Sequence, residues 1–282
     1  MKKRNWIPVL VMLICFGLFM AYRLYQRAVT DTKAPVITAQ DEAGVPEISV
    51  KDENALLQGV TAQDARDGDV TGSIIVERIS STGENGQILV TYAAFDSSGN
   101  VGKLQRPMRY TDYIGPRFSL TQPLVFSYGG QYDVLNYVRA EDSMDGDIRH
   151  RIRTTQVSEN ALSEEGTHEI LFQVTNSLGD TEALVLPVQV QYAGKYEGQL
   201  YLKQYLVYLK TAEPFDAQAY LQNVVYRGEN TNLAGRVPGA LKLEVNHTVD
   251  TRTPGVYTVD YTVSDAGGAW SAFSRLIVVV EG

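Results

Sequence analysis

The sequence predicts an all-β chain in which three tandem β-sandwich domains follow one N-terminal transmembrane helix. Three observations lead to this prediction: an uncharged apolar run near the N-terminus, a repeat of about 80 residues, and short alternating apolar and polar runs within each repeat. We divide the chain into a cytoplasmic tail, a transmembrane anchor, a stalk and three domains. Their predicted bounds are residues 1–5, 6–24, 25–33, 34–111, 112–193 and 194–282.

The apolar run extends from Trp6 to Tyr22 and contains no charged residue. At a rise of about 1.5 Å per residue, a helix of this length crosses a bilayer. Basic residues lie on both sides of the run, with the larger number before it: Lys2, Lys3, Arg4, Arg23 and Arg27. This bias predicts a single-pass protein of the cell membrane, with a cytoplasmic N-terminus and an extracellular C-terminal part.

A cleaved signal peptide is the alternative interpretation of the same run. Cleavage requires small residues before the cut, and residues 20–27 contain no small-x-small triplet. The sequence therefore favours an uncleaved anchor and leaves the signal peptide open.

The part of the chain after residue 29 is acidic. The first 29 residues hold five basic residues and no acidic one, which leaves 20 basic and 33 acidic residues and a formal charge of −13. This balance argues against nucleic acid as a partner. Cys15 is the only cysteine and lies in the apolar run, so the domains fold without disulfides, as is common for bacterial surface proteins.

The repeat is clearest in a predicted hairpin that begins at Gly86, Gly166 and Gly255, at intervals of 80 and 89 residues. A second marker lies upstream, where an Asp-Gly-Asp sequence at 67–69 recurs at 145–147. In the third copy Ala234, Gly235 and Arg236 take its place. Each copy contains about seven short alternating runs and no amphipathic helix, which is typical of an antiparallel sandwich.

These motifs resemble the bacterial immunoglobulin-like domains that occur in tandem on surface proteins, in pesticidal crystal proteins and near hyalin-repeat modules. The first copy carries the resemblance at residues 67–71 (DGDVT) and 96–100 (DSSGN), and the third carries it at 253–263 (TPGVYTVDYTV). The resemblance implies three immunoglobulin-like sandwiches over about residues 34–281. It implies no single function, because such modules serve as spacers, adhesins and accessory domains.

The acidic loops are a candidate Ca²⁺ site, because an immunoglobulin-like sandwich brings the loops after its second and sixth strands to one end. Carboxylate and amide oxygens that converge there are ligands suited to Ca²⁺. The candidate residues are Asp64, Asp67, Asp69, Asp96 and Asn100 in the first copy, and Asp142, Asp145, Asp147, Asn176 and Asp180 in the second. The alternative is turn formation, since Asp-Gly-Asp is also favourable turn chemistry. Arg236 and Ala234 make an ion in the third copy improbable.

The third copy holds eight of the 17 tyrosines, and most of them alternate along predicted strands. Cross-strand packing explains them better than ligand binding does. Trp270, two residues after the last hairpin turn, is the candidate exposed binding residue in this copy.

The sequence favours a non-enzymatic protein. The three histidines lie far apart, and no nucleophile elbow, phosphate loop or dinucleotide-binding motif is present. We expect a membrane-anchored extracellular protein that presents its modules for adhesion, for binding of a protein or cell-wall glycan, or as a spacer. The alternative is a structural or assembly subunit of a cell-envelope or secretion complex.

Overall fold

The computed structural model describes residues 6–40, 44–83, 86–130, 132–156, 164–234 and 237–282. The chain forms two compact units, Met1–Asp112 and Tyr113–Gly282. The predicted boundary between the first two domains lies beside this division. The predicted boundary at 193/194 falls inside the second unit and stays a prediction.

The first unit begins with a single α-helix, α1 (Ile7–Val29). Pro8 lies in its first turn, where its missing N–H costs no hydrogen bond, and Thr30 ends the helix by donating its backbone N–H to Gln26. The helix is longer than the anchor predicted at 6–24, because no residue before Thr30 breaks it. Half of the predicted stalk is therefore helical.

Seven strands follow the helix in this unit and form what we call the first module. They are β1 (Val36–Ala39), β2 (Glu47–Ile48), β3 (Val60–Asp64), β4 (Gly68–Asp69), β5 (Ile75–Ser81), β6 (Gln87–Phe95) and β7 (Val101–Tyr110). The strands make two sheets, with orders β1-β3-β4 and β2-β7-β6-β5. Both sheets contribute buried side chains to the core, including Ala62 from one and Val90 from the other. The all-β sandwich predicted from alternation is confirmed.

Seven strands also form the second module, at the start of the second unit. They are β8 (Arg117–Leu120), β9 (Val125–Ser127), β10 (Val138–Asp142), β11 (Gly146–Asp147), β12 (Arg153–Gln156), β13 (Gly166–Thr175) and β14 (Thr181–Gln191). The sheet orders β11-β10-β8 and β12-β13-β14-β9 repeat those of the first module. The repeat seen in the sequence is thus a repeat of topology.

The third module departs from this pattern. Its strands are β15 (Gly198–Leu202), β16 (Leu206–Lys210), β17 (Leu221–Tyr226), β18 (Glu229–Asn232), β19 (Leu241–His247), β20 (Gly255–Asp265) and β21 (Ser271–Glu281). They join into one sheet of order β18-β17-β15-β21-β20-β19, in which β16 also pairs with β21. Because β21 pairs with β15 at its start and with β16 at its end, it links strands that lie in separate sheets in the other modules.

A buried aromatic residue occupies the same place in all three modules: Tyr92, Phe172 and Tyr261, six residues after the glycine that opens each hairpin. The Tyr92 hydroxyl donates to the carbonyl of Leu56, and the Tyr261 hydroxyl donates to that of Ala217 at 2.7 Å. Both carbonyls belong to short 3₁₀ helices, Glu53–Leu57 and Ala217–Tyr220. In the first and third modules the tyrosine hydroxyl thus holds the 3₁₀ helix against the core. In the second module Phe172 has no hydroxyl and contributes apolar packing alone.

Candidate functional site

The candidate site is the end of each of the first two modules where the acidic loops meet. In the first module Asp67 Oδ2 accepts the backbone N–H of Ser97 at 2.6 Å, and its Oδ1 accepts the Ser97 hydroxyl at 3.0 Å. In the second module Asp145 makes the same two bonds to Ser177, at 2.7 and 2.6 Å. The sequence correctly placed the two loops at the same end of the sandwich.

These carboxylates tie the loops together instead of leaving their oxygens free for a metal. Asp145 also pairs with Arg151, with 2.6 Å between Oδ2 and the guanidinium. Burial acts to raise the pKa of Asp145, and the bonds from Ser177 and the charge of Arg151 outweigh it, so the pKa lies below its usual value. In the described bonds Asp67 and Asp145 join the two loops, and metal binding by them stays a prediction.

The last acid of each Asp-Gly-Asp sequence forms a turn. Asp69 Oδ1 accepts the backbone N–H of Thr71 at 2.9 Å, and Asp147 Oδ1 accepts that of Arg149 at 2.9 Å. Gly68 between the acids has φ of +75°, which only glycine adopts readily. For Asp69 and Asp147 the bonds described here are turn bonds.

Asp64 and Asp142, at the ends of β3 and β10, are different because they are buried. Each uses Oδ1 to accept two backbone N–H groups of the following loop, from Arg66 and Asp67 in one case and from Met144 and Asp145 in the other. Among the described residues the second oxygen, Oδ2, accepts no hydrogen bond in either case.

The partners of these two carboxylates differ between the modules. In the first module, one oxygen each from Asp31, Asp64 and Asp96 lie within 4.8 Å of one another. Asn100 donates its Nδ2 to Asp96 Oδ2 at 2.7 Å and to the carbonyl of Asp31 at 3.2 Å. The sequence interpretation missed Asp31. A signal was available, because Asp31 precedes Pro35 by the same four residues that separate Asp112 from Pro116.

In the second module Asn176 replaces Asp96 and Asp180 replaces Asn100. The Tyr113 hydroxyl, also missed from sequence, donates to Asp180 Oδ2 at 2.6 Å and accepts Asn176 Nδ2 at 2.6 Å. Burial and the bond to Asp180 raise the pKa of Tyr113 above its ordinary value, so the phenol remains a neutral donor. The third-copy counterpart of these loops includes Gly235 and Arg236, which lie outside the described residues.

Trp270 is half-buried, and its predicted role as a binding residue stays a prediction. Its ring centre lies 4.8 Å from that of Tyr226 in an edge-to-face arrangement. A side chain at Gly198 would meet the indole, because a Cβ there would lie 2.1 Å from it. The ring therefore packs against Gly198 of β15 and Tyr226 of β17.

A basic groove of about 610 Å³ lies beside the start of β12 in the second module. Its lining residues are His150, Arg151, Ile152, Arg153, Gln173 and Thr175. Arg153 is exposed in this groove, and Arg151 is paired with Asp145.

Comparison with known families gives one match, at residues 228–279, to the family described as "Bacterial surface protein, Ig-like domain". The resemblance to bacterial immunoglobulin-like surface domains is therefore confirmed. The matched segment lies within the third module, from the residue before β18 to Val279 in β21. No curated protein matches the chain.

Solved structures with a similar fold are distant. The first three domains of Drosophila N-cadherin are 13% identical over 89% of this chain and 90% of that one, with a TM-score of 0.26. A lipoprotein of Bacteroides thetaiotaomicron is 16% identical over 57% of this chain and 98% of that one, with a TM-score of 0.23.

Two structures of Clostridium perfringens ZmpB also match. One contains a CBM51 domain in complex with GlcNAc and is 16% identical over 53% of this chain, with a TM-score of 0.23. The chain spans 26% and 30% of the length of these two structures. At such TM-scores none of these neighbours carries an argument about what the chain binds.

One helix in the described part of the chain is long and apolar enough to cross a membrane, over Ile7–Gln26, with a mean hydropathy of 2.1. By length and composition a signal sequence passes the same test, so both interpretations made from the sequence stay open on this ground.

Proposed function

We propose that this chain is a non-enzymatic, membrane-anchored extracellular protein that presents tandem immunoglobulin-like modules. One observation carries the proposal: an apolar helix is followed directly by sandwiches of a bacterial surface type. Every described side chain of this helix from Trp6 to Gln26 is exposed. A helix apolar on all sides is stable in lipid and not in water. The larger number of basic residues before the run supports a cytoplasmic N-terminus.

Protease treatment of intact cells tests this topology. The full chain carries one epitope tag at its N-terminus in one version and at its C-terminus in another. We expect the protease to remove the C-terminal tag from intact cells and the N-terminal tag only after the membrane is opened. A C-terminal tag that survives until permeabilisation would refute the extracellular assignment, and release of the chain by alkaline carbonate would refute the anchor.

We further propose that the basic groove is the contact surface, and that it binds an anionic polymer of the cell envelope. The support is charge complementarity: the guanidinium of Arg153 is exposed in the groove, whose other arginine, Arg151, is paired with Asp145. Exposed charges of this kind act mainly on encounter and weaken as salt screens them.

Sedimentation of the purified full chain with isolated cell-wall polymer tests this contact. We expect Arg153→Glu to weaken binding several-fold at low salt and Arg252→Glu, an exposed arginine of the third module, to leave it unchanged. Equal losses in both variants would show attraction without a specific groove. No binding by the unmodified chain would favour the spacer function.

The packing between the second and third modules supports a spacer function for this unit. Their buried residues belong to one continuous hydrophobic cluster. An assembly subunit remains the second candidate, and co-purification of a defined complex through the anchor would favour it.

A further inference from the structure

The strongest unassigned feature of the molecule is the group of three carboxylates in the first module, Asp31, Asp64 and Asp96. One oxygen from each lies within 4.8 Å of the other two. Asp64 and Asp96 are buried, with 6% and 8% of their surface exposed, and Asp31 is half-buried. Three like charges at this separation repel one another unless a cation lies between them.

A second observation is independent of the grouping. Asp64 Oδ1 is occupied by the backbone N–H groups of Arg66 and Asp67, and the remaining oxygen, Oδ2, is buried without a hydrogen bond among the described residues. A buried charged oxygen with no partner costs several kcal/mol in general. Because Oδ1 faces the loop amides, Oδ2 is the oxygen that Asp64 offers to the group.

The surroundings keep the two buried acids ionised. Hydrogen bonds from the backbone of Asp67 and Arg66 lower the pKa of Asp64, and the charge of Lys33 contributes least. Burial acts to raise the pKa of Asp96, and the bonds from Asn100 and Ser98 outweigh it. Lys33 is exposed, and its attraction is too weak to replace a partner within the group.

We propose that Asp31, Asp64 and Asp96 bind one Ca²⁺ ion. The ion takes oxygen ligands at about 2.3–2.6 Å and so accepts ligand oxygens up to about 5 Å apart, while Mg²⁺, at about 2.1 Å, requires a smaller and nearly octahedral set. Three protein oxygens leave the other positions to water, which corresponds to the roughly 0.1–1 mM affinities of extracellular modules.

The position of Asp31 gives this site a consequence. Asp31 lies two residues after the end of α1, and the other two ligands belong to the sandwich. Without the ion, the described bond that holds Asp31 to the loop after β6 is the one that the Asn100 side chain donates to the Asp31 carbonyl. Ca²⁺ binding would clamp the end of the anchor helix to the first module, and would fix how that module leaves the membrane.

The second module provides an internal comparison. Its buried Asp142 also has an unpartnered Oδ2, but Asn176 stands where Asp96 does, and the neutral phenol of Tyr113 bridges Asn176 and Asp180. Among the described residues, no group of three carboxylates is found at this end of the second module. We therefore assign the ion to the first module alone.

Hydrogen–deuterium exchange of the full chain in detergent micelles tests the site, in EDTA, in 5 mM CaCl₂ and in 5 mM MgCl₂. If amide exchange requires release of the ion, 5 mM Ca²⁺ acting with a Kd of about 0.5 mM slows that exchange about tenfold. We expect this in CaCl₂ for the amides that hold the ligands, within residues 64–67 and 96–100, and not in residues 142–145.

Asp31→Asn removes one charge at the edge of the site and keeps the Oδ1 that accepts the Lys33 N–H at 2.9 Å. We expect it to abolish the CaCl₂ effect. Asp69→Asn, the same change at an exposed residue at the end of β4, should leave the effect intact. The proposal is overturned by unchanged exchange in CaCl₂, by an undiminished effect in Asp31→Asn, or by equal protection in MgCl₂.

Discussion

Removing the hydroxyl of Tyr208 tests directly how the second and third modules are held together. Tyr208, on β16, accepts the backbone N–H of Phe118, on β8, at 3.0 Å. The guanidinium of Arg117 lies 4.4 Å from the centre of the same ring and pairs with Glu281 at 2.6 Å. Burial raises the pKa of Tyr208, so the hydroxyl is uncharged at physiological pH.

Tyr208→Phe removes the hydroxyl and keeps the ring under Arg117. It leaves the Phe118 N–H without its acceptor at a largely buried position, which costs about 1–2 kcal/mol. The ion pair adds little to this, because Arg117 and Glu281 are 42% and 36% exposed and such pairs contribute at most about 1 kcal/mol. For a unit of this size the expected fall in midpoint is roughly 3–6 °C.

Thermal unfolding of the full chain in micelles, followed by tryptophan fluorescence, measures this loss. The chain has two tryptophans, so a Trp6→Phe background leaves Trp270 as the reporter of the third module. Tyr201→Phe is the matched control, since Tyr201 lies in the same module, is 38% exposed and bonds only to Gln199 in the contacts described. A fall below 1 °C for Tyr208→Phe, or the same fall for both variants, would refute the reasoning.

Two further perturbations address stability within single modules. Tyr261→Phe deletes the 2.7 Å bond to the Ala217 carbonyl and should lower the free energy of unfolding by about 1 kcal/mol in urea; an unchanged midpoint would contradict the role given to this hydroxyl. Asp145→Asn tests the dependence of stability on pH. Ser177 and Arg151 hold the folded-state pKa of Asp145 below its unfolded value. The ionised carboxylate therefore stabilises the fold fully above a pH of about 4, and this stabilisation is lost as pH falls through the lowered pKa. The midpoint of the variant, followed from pH 6 to 2.5, should fall less steeply on the acid side than that of the unmodified chain, and parallel curves would contradict the assignment.

The fold was predictable because its signals are local and repeated. Alternation of apolar and polar residues specifies one buried face for each strand, and a glycine with positive φ marks each hairpin turn, as Gly99 does at +83° and Gly179 at +95°. The merged sheet of the third module was not predictable in the same way. It depends on pairing of β21 with two strands distant in sequence, and the alternation of those strands is the same whichever neighbour they pair with.

The sequence predicted which loops meet, but not which of their carboxylates face one another. Repeat positions correctly brought Asp67 to the loop of Ser97, but the sequence does not say which carboxylates are consumed by loop amides. That distinction depends on burial, which separates Asp64 and Asp96 from Asp69 although all three lie at or next to the end of a strand. Asp31 and Tyr113 were missed because each precedes its module and reaches the site only through the path of the chain.

The comparison of the first two modules shows how a repeat conserves a scaffold while changing its charge. Asp96 Oδ1 accepts the backbone N–H of Asn100 at 2.7 Å, and in the second module Asn176 Oδ1 accepts that of Asp180 at 2.9 Å. Exchanging the acid and the amide therefore leaves the turn intact. The exchange moves the negative charge by four residues, and Tyr113 then supplies the donor that the moved carboxylate requires. Ion binding and self-contained hydrogen bonding are therefore two outcomes of one loop framework, decided by which residue the preceding segment brings to it.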